Sequence, residues 1–248
     1  MKKDLKVSCI MCTYGRFSCV QRSLSMFLDQ TYKNKELIIF NTALKSLELS
    51  NELKNKNIKI INQSISNETN KPYVNIGQIR RDSLKYMNGD IYICWDDDDY
   101  YLPHHIEQGI KHLNKCKLLA WKPKKSYFTY DGGKTFELTS NNMEASILVK
   151  KEVFNIVNFN NGTGNEHNNW LTYLRDNNQI FENENVTPNE SYVYVWGDGQ
   201  HKQSGDIKNP NNFENHKKLS VDFGNEPLKK INVKYIYDKL KYDKTKYY

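Results

Sequence analysis

No stretch of this chain is apolar for long enough to cross a membrane, because the longest hydrophobic runs are only strand-sized. The opening residues, Met1-Lys2-Lys3-Asp4-Leu5-Lys6, lack the apolar stretch of a signal peptide. The expectation is a cytoplasmic protein, in which Asn-x-Ser/Thr matches such as Asn161-Gly162-Thr163 are chance features of an Asn-rich chain. Cysteine is sparse and odd in number. Five residues without regular spacing exclude a disulfide framework and fit reduced thiols. Cys9 and Cys12 form a lone Cys-x-x-Cys, but strand alternation sends them to opposite faces and no second pair exists to complete a zinc site. Core thiols are the better reading. A Gly-rich, Lys-containing phosphate loop is also missing, which argues against nucleotidyl transfer. No internal repeat and no clean linker divides the chain.

What is present suits a globular protein. At 248 residues, with 38% hydrophobic and 26% charged residues, the chain can bury one sizeable core without staples. The net charge is +7. Part of that excess lies in the last forty residues, at Lys217, Lys218, Lys229, Lys230, Lys234, Lys239, Lys241, Lys244 and Lys246. A solvated surface explains it; peripheral contact with an anionic partner (a membrane surface, an acidic glycan or nucleic acid) is the functional alternative.

The first hundred residues alternate strand and helix. Lys6 to Cys12 reads as a strand buried on both faces, followed by a break at Thr13-Tyr14-Gly15-Arg16. Val20, Leu24, Phe27 and Leu28 recur at helical spacing up to Gln30. Glu36 to Phe40 and Ile58 to Ile61 are predicted strands. Asn75 to Met87 is a predicted helix with Ile76, Ile79, Leu84 and Met87 inward, stopped by Asn88-Gly89. Asp90 to Trp95 is a fourth strand, and Pro103 suits the first turn of another helix. This order predicts an α/β fold with a mostly parallel sheet. The second half is mixed: strands at Lys117 to Lys122 and Ser126 to Tyr130, a hairpin into Thr135 to Thr139, and a strand at Glu144 to Lys150. A helix around Trp170, Leu171 and Leu174 and a late strand at Tyr192 to Trp196 complete it. Gly197 to Asn215 reads as a loop.

Four aspartates, Asp96 to Asp99, follow the fourth strand inside apolar flanks. Crowded carboxylates raise one another's pKa unless a cation offsets them. In open α/β sheets ligands bind beyond the carboxyl ends of the strands, so Thr13 to Arg16, Asn41-Thr42 and Asp96 to Asp99 should gather on one edge. Alternation lets Asp96 and Asp98 point the same way. Hard carboxylate oxygens suit Mg2+ or Mn2+, which carboxylates hold together with substrate phosphates.

The segments VSCIMCTYGR (7–16), QTYKNKELIIF (30–40), NIGQIRRDSLKYMNGDIYICWDDDDYYLP (75–103) and EASILVKKEVF (144–154) resemble, in order and approximate spacing, the family 2 glycosyltransferases of the GT-A fold. The resemblance implies a nucleotide-sugar donor, UDP- or GDP-linked, and inverting transfer to a hydroxyl with Mn2+ or Mg2+. It implies one GT-A domain over 1–248, with a nucleotide-sugar half at 1–103, an acceptor-side half at 104–215 and a basic extension at 216–248. By the same resemblance Thr13, Tyr14, Arg16, Asn41, Arg80, Asp96 and Asp97 face the donor. Asp98 and Asp96 hold metal, with Asp99 behind them and His201 of the late loop as a further ligand. The acceptor classes it leaves open are a glycan, a lipid-linked saccharide and a hydroxymethylated DNA base.

The sequence departs from the family in two places. The family's base-reading Asp after the second strand is Asn41 here. Counting back from Leu174-Arg175, Asn168-Asn169 stand where the family carries a Glu-Asp pair, and asparagine takes no proton at neutral pH. Glu166 and His167, two residues earlier, both can. Glu166 is the first candidate for the general base and His167 the second. A catalytically impaired nucleotide-sugar-binding protein is the alternative reading.

Overall fold

The computed structural model describes residues 4–129, 131, 133–141, 143–182, 190–195, 224–242 and 245. Strand β1 (Val7–Thr13) is buried along nearly its whole length, and β2 (Lys35–Asn41) along all of it. Between them α1 (Phe17–Asp29) turns Val20, Leu24, Met26 and Phe27 into the core. β3 (Ile58–Asn62), α2 (Ile76–Leu84) and β4 (Ile91–Cys94) follow, then the short β5 (Tyr100–Tyr101) and α3 (His105–Cys116). The mixed half supplies β6 (Ala120–Lys122), β7 (Lys125–Thr129), β8 (Glu137–Ser140), β9 (Leu148–Lys150), α4 (Asn168–Asp176), β10 (Ile180–Glu182) and β11 (Tyr192–Val195). Helix α5 (Lys234–Lys239) lies near the C-terminus.

Seven strands form the main sheet in the order β10-β6-β9-β4-β1-β2-β3. β1 pairs in parallel with β2 and β4, β2 with β3, and β10 with β6. Only β9 runs antiparallel, between β4 and β6. The second sheet, β5-β11-β7-β8, joins the antiparallel β7–β8 hairpin to β11. The mostly parallel first half and mixed second half read from the sequence are therefore both present. The sheets meet around a buried aromatic group: Trp95 stacks on Tyr101 with ring centres 3.8 Å apart and meets Phe27 edge-on. Each such fully buried side chain contributes about 1.5–3 kcal/mol.

Three local expectations are corrected. In α2, Ile76, Ile79 and Leu84 are only half-buried, while Gly77, Gln78, Arg80, Asp82 and Ser83 are buried; Met87 alone is buried as expected. This helix crosses the ligand edge of the sheet, so polar groups occupy its inner face. Residues Glu144–Ser146 form a 3-10 turn, and the strand begins only at Leu148. Asn141 causes this by accepting from the Met143 N–H at 3.0 Å and donating to Ser146 Oγ at 2.7 Å. The third correction concerns the described part of the basic C-terminus, which is not simply a solvated extension. Leu228 bridges Leu49, Val233 and Ile236 are buried, and Lys230 pairs with Asp29 of α1 at 2.6 Å.

Gly77 has a specific packing role. A Cβ there would overlap the Asn160 carbonyl oxygen, and the Gly77 N–H donates to the Gly162 carbonyl at 3.1 Å. Gly77→Ala is expected to destabilise the protein by about 1–3 kcal/mol, the usual cost of overpacking, read as a lower thermal midpoint. An unchanged midpoint would mean that the 159–166 loop yields freely to α2.

Candidate active site

The carboxyl ends of β1, β2 and β4 lie side by side, so their following loops converge. Thr42 N–H donates to the Thr13 carbonyl at 3.0 Å, tying the first loop to the second. Gly15, at φ 59°, takes the left-handed conformation that turns the first loop back over the strand end. That turn delivers Arg16 onto the aspartates. Its Nη1 donates to Asp98 Oδ2 at 2.6 Å, and its Nε and Nη2 fork onto the Asp97 carboxylate. Thr13 Oγ1 donates to Asp97 Oδ2 at 2.6 Å. Asp97 is thus fixed by Thr13 and Arg16, which also links it to Asp98. Tyr14 is the outward residue of this loop, 38% exposed.

Carboxylate oxygens of Asp96, Asp98 and Asp99 lie within 4.8 Å of one another. The bend at the aspartates adds Asp99 to the pair that alternation placed together. Asp99 is held from behind by the Tyr192 hydroxyl and by the Val195 N–H at 3.0 Å. Burial, reinforced by Asp98 and Asp96, pushes the Asp99 carboxyl well above the usual range. Burial also raises Asp96, against Arg80, and raises Asp97 to about 6, against Arg16. The cluster holds more negative charge than its cations offset. A hard divalent cation fits the oxygen set of Asp96, Asp98 and Asp99.

A second group lies across Arg80. This side chain is 5% exposed. Its Nη2 lies 3.6 Å from Asp96 Oδ1 and 3.8 Å from Glu144 Oε1, and its Nε lies 3.3 Å from Glu166 Oε1. Its Nη1 donates to Cys94 Sγ at 2.6 Å. Ligand atoms of Glu144, Glu166 and His167 lie within 4.8 Å of one another, and His167 Nδ1 is 3.6 Å from Glu144 Oε1. Glu166 is 2% exposed and its Oε2 is buried without a hydrogen-bond partner. A buried carboxylate oxygen left unpaired is costly, and an acceptor hydroxyl would satisfy it.

Asn41 is buried, with Nδ2 donating to the Lys45 carbonyl at 2.8 Å and to Asn62 Oδ1 at 2.9 Å, while Oδ1 accepts from the Ala43 N–H. Both amide hydrogens are spent on loop structure, leaving only oxygen lone-pair capacity toward a base. His104 and His105 sit behind the aspartates, and burial lowers each to about 3, keeping them neutral. His105 Nδ1 contacts Ser191 Oγ at 2.7 Å and His104 stacks on Tyr242. Trp170 is fully buried in the core. His201, the predicted further metal ligand, lies outside the described residues. The sequence reading named neither Glu144 nor Tyr192 as a candidate site residue. Glu144 opens one of the family-like segments without marking itself as a contact, and Tyr192 reaches Asp99 only through the placement of the late strand. A separate polar hollow of about 410 Å3 lies beside β2 and β3, lined by Glu36, Lys54, Asn57 and Lys59 among others, and includes no residue of either cluster.

A family model described as glycosyl transferase family 2 matches residues 8–163. The chain is 30% identical over 118 residues to the Escherichia coli UDP-Glc:alpha-D-GlcNAc-diphosphoundecaprenol beta-1,3-glucosyltransferase WfgD, covering 45% of this chain and 42% of that protein. It spans between 33% and 42% of the length of the curated relatives it matches. Among solved structures, S. aureus TarS residues 1–349 in complex with UDP-GlcNAc superposes with a TM-score of 0.61 at 16% identity, over 87% of this chain and 65% of that one. The mannosyltransferase PcManGT from Pyrobaculum calidifontis, in complex with GDP-Man and Mn2+, superposes at 0.52 with 14% identity, over 77% and 56%. At these identities the structural likeness speaks for the fold. The matched stretch runs from β1 through the aspartates and Arg80 to the loop before Glu166, and on that span the chain belongs to glycosyl transferase family 2.

Proposed function

We propose that this protein transfers a sugar from a UDP- or GDP-linked donor to a hydroxyl group, with inversion at the anomeric carbon and with a divalent metal, Mn2+ or Mg2+. The observation that carries this reading is the pair of clusters on either side of Arg80, one suited to a metal diphosphate and one to a proton acceptor. Thr13, Arg16 and Asp97 frame the nucleotide side, and Asp96 and Asp98 would hold the metal. When bound, such an ion supplies positive charge for the departing diphosphate. The acceptor hydroxyl gives its proton to Glu166 Oε2 as its oxygen bonds to the anomeric carbon. The bond from that carbon to the diphosphate oxygen breaks, and its electron pair leaves with the diphosphate. The names of similar proteins support both UDP- and GDP-linked donors. The net charge of +7 suits an anionic acceptor, whether a lipid-linked saccharide, a glycan or DNA.

One observation favours a second reading, binding without turnover: Asn168 and Asn169 open α4 where a Glu-Asp pair is expected. Slow release of nucleoside diphosphate from the donor without acceptor distinguishes the two, because only the enzyme produces it.

Metal dependence has a direct test. With Mn2+, UDP-Glc, UDP-GlcNAc or GDP-Man at about a hundredfold its dissociation constant stabilises the fold by about 2.7 kcal/mol. That corresponds to a rise of roughly 5–11 °C in the thermal midpoint. In EDTA the shift is expected to fall to a small fraction of this, since the bare carboxylates repel the diphosphate. Equal shifts with and without chelator would remove the metal from the proposal.

A further inference from the structure

Arg80 is held differently from its neighbours. Arg81 closes a fork on Glu68, with Nε at 2.6 Å and Nη2 at 2.8 Å, and Arg16 closes on Asp97. Those are the tight bidentate pairs that guanidinium and carboxylate form when nothing prevents it. Arg80, although more deeply buried than either, closes on no carboxylate. Asp96, Glu144 and Glu166 stand around it at 3.6, 3.8 and 3.3 Å, and its Nε has no hydrogen-bond partner.

The position of Glu144 is built with care. Buried Asn141 ties the turn that carries it, donating to the Pro123 carbonyl at 2.8 Å and to Ser146 Oγ at 2.7 Å. Ser146 Oγ donates in turn to the Met143 carbonyl at 2.7 Å, and Lys122 Nζ donates to the Asn141 carbonyl at 2.9 Å. A surface glutamate requires no such support. The turn packs against β4, the strand that ends at the aspartates. A third carboxylate is thereby fixed beside Arg80, next to His167.

We infer that Glu144 is a positioning residue: by drawing on Arg80 Nη2 it keeps the guanidinium from closing its fork onto Glu166, and so leaves Glu166 free to accept the proton. The inference rests on the reading above in which Glu166 is the base. A carboxylate clamped by two guanidinium N–H groups is a weaker proton acceptor than one touched by a single N–H. Glu166 is the nearest of the three carboxylates to Arg80, and Asp96 and Glu144 share Nη2 at 3.6 and 3.8 Å, so without Glu144 only Asp96 is left to draw Nη2 away from Glu166.

The test uses the whole chain with Mn2+ and whichever of UDP-Glc, UDP-GlcNAc and GDP-Man gives the largest thermal shift, following release of nucleoside diphosphate. Glu144→Gln is expected to lower kcat about tenfold, a fraction of a full general-base contribution, with donor KM within about twofold of the parent. Glu144→Asp, which keeps the charge, is expected to recover most of the loss. A purely structural role for Glu144 would lower the thermal midpoint and leave the aspartate variant as slow as the glutamine one. Parent-like kcat in Glu144→Gln, in a protein that Glu166→Gln inactivates, overturns the inference and leaves the reading standing. Full activity in Glu166→Gln overturns the reading itself. A crystal structure of Glu144→Gln decides the geometry without any substrate. Arg80 Nε and Nη2 are expected both to lie on Glu166; a guanidinium that stays between the clusters refutes the inference.

Discussion

Asp98→Asn is expected to reduce turnover by at least about a hundredfold, the scale of removing one preorganised electrostatic contributor to a transition state. The substitution keeps the size of the side chain and removes its charge. Asp98 is 5% exposed and shares its cluster with Asp96 and Asp99. Asp97 is not one of the three clustered carboxylates, and both oxygens of Asp99 are engaged by Tyr192 and Val195, so neither takes over the place of Asp98. The same variant is expected to lose the Mn2+-dependent part of the donor's thermal shift while keeping the small shift seen in EDTA. Arg16 retains its fork on Asp97, so the fold should survive the loss of one of its contacts. Near-normal turnover in Asp98→Asn would place the metal on other residues.

The second large effect belongs to Glu166. Glu166→Gln is expected to cut transfer by roughly 10² to 10⁴, the contribution of a positioned general base. Donor binding should be unchanged, because Glu166 lies across Arg80 from the aspartates. The substitution also removes one anionic neighbour of a buried guanidinium, but Asp96 and Glu144 remain beside it. Thermal midpoint and turnover are therefore to be read together, and a loss of rate at nearly constant midpoint assigns the effect to chemistry. If His167 is the base instead, His167→Ala shows the large loss and Glu166→Gln is mild. The pH profile separates them again. A carboxylate base lets activity fall only at acid pH, whereas an imidazole moves the fall toward neutrality. Two fully active variants would place the base outside this loop.

Much of the α/β half was legible in the sequence because local pattern and tertiary role coincide there. The runs that became β1 and β2 are nearly continuous apolar stretches, as parallel strands covered on both faces require. The convergence of Thr13, Asn41 and the aspartates followed from topology alone, since parallel strands put all their carboxyl ends on one edge. Where function loads an element with polar residues, pattern misleads. The inner face of α2 carries Gln78, Arg80 and Ser83, so hydrophobic periodicity pointed its isoleucines inward and the structure did not. The turn at Glu144 was read as strand because Ile147, Leu148 and Val149 give EASILVK an apolar run, and Asn141, three positions before Glu144, bends it.

The sequence by itself determined the edge of the sheet that carries the chemistry and the oxygen-rich set that would meet a metal diphosphate. Both depend on residue type and strand order, which are written along the chain. Tertiary structure alone decided what surrounds each carboxylate. It tied Asp97 to Arg16 and Asp99 to Tyr192, left Glu166 Oε2 without a partner, and set Arg80 among Asp96, Glu144 and Glu166. The physical reason is distance. Charges interact over a few ångströms whatever their separation in sequence, and Arg80, Glu144 and Glu166 meet only because α2, the turn before β9 and the loop before α4 fold onto the same edge.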